Sequence, residues 1–72
     1  MPKVKGRRKD LQMFRYAHDL TQDQIAEICG ISRASYSLIE EGHRDGRMTF
    51  WNAFQTAFDV PDNEMYKYMA KR

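Results

Sequence analysis

Arg33, Ala34, Ser37, Leu38 and Glu41 fall on one arc if residues 33–41 are helical, because each residue advances the helix by about 100°. Arg33 carries the best-equipped head on that arc. Its guanidinium fork can give two parallel hydrogen bonds to a guanine edge, worth about 1–3 kcal/mol of discrimination. Ser37 can serve a base or a phosphate, whereas Ala34 and Leu38 can only touch an apolar group such as a thymine methyl. Ser32 stands just before the arc, and His43, Arg44 and Arg47 follow it, three side chains suited to phosphate oxygens. Asp23, Glu27, Glu41 and Asp45 border the same surface. Each would oppose a polyanion and suit a basic partner.

Catalytic chemistry has no comparable basis. His18 and His43 are far apart, and Cys29 is the sole cysteine and falls in a helix expected to be buried. No pair has metal-ligand spacing, and neither a Gly-rich phosphate loop nor a nucleophile elbow occurs. A chain of 72 residues is also too small to wall off a sizeable pocket. We therefore expect no enzyme activity, no metal, no cofactor and no small-molecule ligand. His18 reads as a helix-end residue favoured by the dipole.

The elements that must position these side chains are helices. Apolar residues recur at helical spacing, with no sustained two-residue alternation. Leu11 and Phe14, followed by Ala17 or His18, line one face of a helix over 9–18, with Met13 beside them. Thr21 and Gln24 form a capping-box pair opening a second helix over 22–29, which is expected to bury Ile25, Ala26, Ile28 and Cys29 in varying degree. Gly30 supplies the left-handed turn at its end. Ser32 caps a third helix running to about residue 41, closed by Gly42, and residues 42–48 read as a loop. Thr49 is expected to cap a fourth helix whose Phe50, Trp51, Ala53, Phe54, Ala57 and Phe58 make it the central core element. Val60-Pro61 ends it, and a fifth helix starts near Asp62 with Met65, Tyr68 and Met69 on one side. The expected fold is all-α, a compact five-helix bundle containing a helix-turn-helix.

Charge divides the chain unevenly. Lys3, Lys5, Arg7, Arg8 and Lys9 occur with no acid among them, leaving 7 basic and 10 acidic side chains after residue 9, a net charge of −3 there. Residues 1–8 therefore read as a basic, flexible arm able to release counterions from nucleic acid, and 9–72 as the folded domain. With no long apolar run and one cysteine, a soluble cytoplasmic protein without membrane span or signal peptide is expected.

The segment LTQDQIAEICGISRASYSLIEEGHR resembles the lambda-repressor/Cro-like (XRE-type) helix-turn-helix family, through Gln22, Ala26, Gly30, Ser32, Tyr36, Ile39, Glu40 and Gly42. The compact form, SYSLIEEG and FWNAFQTAFDVPDNEM look most like small phage-borne regulators of lysis–lysogeny switches. The resemblance implies that Arg15 pairs with Glu40, tying the first helix to the third, and that Gln22 forms part of a phosphate clamp. It places base reading at the outward positions of the third helix, and operator DNA as the partner, bound as a homodimer in most members. The acidic rim, with Ala34 and Leu38 at its centre, supports an alternative. In it the chain is an antirepressor that docks on, and masks, the DNA-binding face of a partner repressor. Tyr66, Met69 and Phe50 are candidate seeds for a dimer interface if exposed.

Overall fold

The computed structural model describes residues 6–71, so Lys3 and Lys5 of the basic arm lie outside the described residues. Within them run α1 (Lys9–Ala17), α2 (Gln22–Cys29), α3 (Arg33–Glu40), α4 (Met48–Phe58) and α5 (Met65–Met69), with a 3-10 turn at Asp62–Glu64 leading into the last. No strand occurs among the described residues, and the fold is the expected all-α bundle.

Local chemistry accounts for both ends of α2 and of α3. The Gln24 N–H donates to Thr21 Oγ1 at 3.1 Å and the Thr21 N–H donates to Gln24 Oε1 at 2.8 Å, so the capping box at α2 is complete. Gly30, at φ 78°, ends that helix in the left-handed conformation. Ser32 Oγ accepts from the Ser35 N–H at 3.1 Å and opens α3. Gly42 turns the chain out of α3 at φ 87°, its N–H donating to the Ile39 carbonyl at 3.1 Å.

Helix α4 departs from the expected start. Arg47, not Thr49, is its N-cap residue, and no side chain caps it. The indole of Trp51 explains the shift: its Nε1–H donates to the Asp45 carbonyl at 3.0 Å, which fixes the first turn from the far side of the loop. The helix ends at Phe58, where Asp59 takes a left-handed conformation at φ 54°, two residues ahead of Pro61.

The core gathers on α4. Phe50, Trp51 and Phe54 are buried with Leu11, Ile25, Ala26, Tyr36 and Ile39. The Phe54 ring packs against those of Phe14 (5.1 Å), Tyr68 (5.6 Å) and Trp51 (6.0 Å). Several apolar residues expected at the core are instead exposed: Ile28 and Met13, with Ala17 of α1 and Ala57 of α4. The core stripe of α2 is complete with Ile25, Ala26 and Cys29, leaving Ile28 on the outer side. Phe50 is needed inside and drops out as an interface seed, whereas Tyr66 and Met69 are exposed.

Candidate nucleic-acid interface

The framework of the surface is a buried hydrogen-bond hub. Arg15 Nε and Nη2 donate to the two Glu40 carboxylate oxygens at 2.8 and 3.2 Å, a bidentate geometry that is both strong and directional. Tyr36 Oη donates to Glu40 Oε2 at 2.8 Å, and Gln22 Nε2 donates to Oε1 at 2.9 Å. Arg15 Nη1 also donates to the Leu20 carbonyl at 3.0 Å. One carboxylate thus ties α1, α2 and α3 together and sets the angle at which α3 meets solvent. Burial pushes the Glu40 carboxyl up, but the bonds from Arg15, Tyr36 and Gln22 outweigh it and hold it below the usual range. The bond to Glu40 raises Arg15 further, and burial raises the Tyr36 phenol.

From that framework α3 presents Arg33 and Ala34 exposed, with Ser37, Leu38 and Glu41 half-buried along the same side. Arg33 has no ion-pair or hydrogen-bond partner among the described residues. It faces an open notch shared with Gln22, Asp23, Thr21 and Tyr16, beside the N-terminus of α2, where free backbone N–H groups favour an anion. Gln22 is less free than a phosphate clamp would need, because its amide nitrogen already donates to Glu40. Ser37 and Glu41 satisfy one another, Oγ donating to Oε2 at 3.2 Å. Ser32 is exposed, its hydroxyl donating to Ser35 Oγ at 3.0 Å.

Flanking α3, the α3–α4 loop exposes His43, Arg44 and Arg47, with His43 Nε2 3.8 Å from Glu41 Oε1. A cleft between this loop and α3 is lined by those three together with Ser32 and Ser35. The acids of the rim divide. Asp45 is met by Lys71 Nζ at 3.2 Å, an exposed pair worth about 0–1 kcal/mol. Asp23 and Glu27 are exposed on α2 without a partner among the described residues.

Two residues escaped the sequence reading. Tyr16 lies exposed at the notch with its ring 4.8 Å below the Arg15 guanidinium carbon, and Gln12 Nε2 donates to its hydroxyl at 3.1 Å. An aromatic on the polar side of an amphipathic helix is the signal that could have flagged it. Arg8, read as a cation of the arm, is buried and bonded to backbone carbonyls. It cannot contact phosphate from there, and no local signal marks it.

A capped helix, a glycine turn and an exposed second helix carried on a buried Arg–Glu pair define a helix-turn-helix domain. Residues 9–66 match the family model of the helix-turn-helix domain, and the chain belongs to that family, a class of DNA-binding transcriptional regulators. No curated protein and no solved structure matches the chain. No helix among the described residues is long and apolar enough to cross a membrane.

Proposed function

We propose that this chain regulates transcription by binding operator DNA with α3 in the major groove, in a genetic switch of the phage type, within the cytosol. Arg33 is the base reader, and His43, Arg44 and Arg47 hold the flanking phosphates. The observation that carries the reading is Arg33 itself: exposed, without a partner among the described residues, and set at the notch beside the α2 N-terminus. A bidentate arginine–guanine pair discriminates by about 1–3 kcal/mol. In binding assays on DNA from the protein's own promoter region, Arg33→Ala should lose that much sequence preference. Unaltered specificity in the variant would remove Arg33 as the reader. Arg47→Ala should weaken binding evenly across sequences and lower the salt slope by about 1.

A second reading, docking on the DNA-binding face of a partner repressor, draws support from exposed Asp23 and Glu27 beside Ala34 and the half-buried Leu38. Charge complementarity would steer such an acidic rim to a basic surface. Leu38→Arg should then abolish association with the repressor, and tight binding retained by that variant would exclude the antirepressor role.

A further inference from the structure

Arg8 is 3% exposed, yet no carboxylate among the described residues makes a direct ion pair with its guanidinium, although the Asp45 charge acts on it through space. Nη1 donates to the carbonyls of Ile39 and Arg44, both at 2.7 Å. Nη2 donates to the Asp45 carbonyl at 3.2 Å, and Nε to that of Met69 at 3.0 Å. The guanidinium carbon lies 5.4 Å from the Trp51 ring centroid, and the Arg8 N–H donates to the Glu40 carbonyl at 3.0 Å. These acceptors come from the end of α3, the α3–α4 loop and the end of α5. The last carbonyls of a helix have no partner within it and carry partial negative charge, so they can hold a cation that no carboxylate contacts directly. Only a planar fork with several fixed donors spans acceptors on three separate stretches; a lysine is a point charge on a flexible stem.

The loop depends on this clamp. Its own backbone bonds, from the His43 and Arg44 N–H groups to the Leu38 carbonyl, hold only its first residues. At Asp45 the backbone carbonyl is instead gripped by Arg8 and by the Trp51 indole. The chain leading to Arg8 is fixed to the same loop, for the Gly6 carbonyl sits where a Cβ on Gly42 would stand.

We propose that Arg8 is the positioning residue of the DNA-facing surface. It holds His43, Arg44 and Arg47 in register with α3, so that loop and helix form one phosphate-contacting strip. The inference rests on the DNA-binding reading above.

The test uses full-length protein with Arg8→Met and Arg8→Lys, read by hydrogen exchange and by the salt dependence of DNA binding. In Arg8→Met, the Trp51 indole N–H and the amides of residues 45–47 should exchange at least about tenfold faster, as for a locally opened segment. Each lost phosphate contact lowers the salt slope by about 0.9. The slope should therefore fall by roughly 2, to that of the Arg44→Ala/Arg47→Ala double variant, and combining the changes should lower it no further. Should Arg8→Met fail to fold, Arg8→Lys carries the same readouts, with the charge kept and the span lost. Slope losses that add to those of the loop variants would mean that Arg8 touches phosphate itself, and would overturn the proposal. An unchanged slope with unchanged loop exchange in folded protein would overturn it equally. Wild-type protein without salt-dependent DNA binding would remove the DNA-binding reading instead. Loop exchange would then decide alone, acceleration in Arg8→Lys supporting the positioning role and protection equal to wild type refuting it.

Discussion

Glu40 accepts hydrogen bonds from Arg15, Gln22 and Tyr36, and its acidity makes that arrangement measurable. Its carboxyl is held below the usual range in the folded protein. The stabilisation is therefore fully present above the unfolded value, about 4.3, and is lost as pH falls through the folded value. Melting temperature followed from pH 6 down to about pH 2 should drop across that window, and Glu40→Gln should flatten the drop. Leaving the Arg15 charge buried without its partner, as in Glu40→Ala, should cost about 3–5 kcal/mol. Burial pushes the Cys29 thiol up to about 11, so it stays protonated at neutral pH. Thiol reagents should label Cys29 only as fast as the domain opens.

At the scale of the element, helix ends separate what local sequence dictates from what tertiary contact dictates. Thr21, Gly30, Ser32 and Gly42 act on neighbours within a few residues, and their roles were legible for that reason. Thr21→Ala should cost about 1 kcal/mol. Gly30 and Gly42 both take positive φ, but nothing lies within 4 Å of a Cβ on Gly30, whereas one on Gly42 meets the Gly6 carbonyl. Gly30→Ala should therefore cost about 1–2 kcal/mol from the backbone alone, and Gly42→Ala distinctly more. Urea midpoints at constant m would report the difference. The start of α4 was misplaced because the Trp51–Asp45 bond sets it from outside the helix, past a threonine of good capping type.

The whole molecule concentrates its stability in one aromatic cluster, and the proposed function lies on the side that α3 presents. Phe54 is fully buried at the centre of that cluster, and Phe54→Ala should cost about 3–5 kcal/mol. At about 4–8 °C per kcal/mol for a domain of this size, this variant should melt roughly 12–40 °C below the wild type. The outward arc of α3 could be read from periodicity, since Arg33 needs no partner to be found. Arg8 could not, because its acceptors lie 31 to 61 residues away and only the fold brings them together. The central claim, that the α3 side faces DNA, is tested most directly by titrating 15N-labelled protein with duplex from its own promoter region. Amide shifts should concentrate on residues 32–38, the loop 43–47 and the α2 N-terminus at Gln22 and Asp23. Shifts confined to the α1–α5 side around Met13 and Tyr66, with Arg33 and its neighbours unmoved, would contradict it.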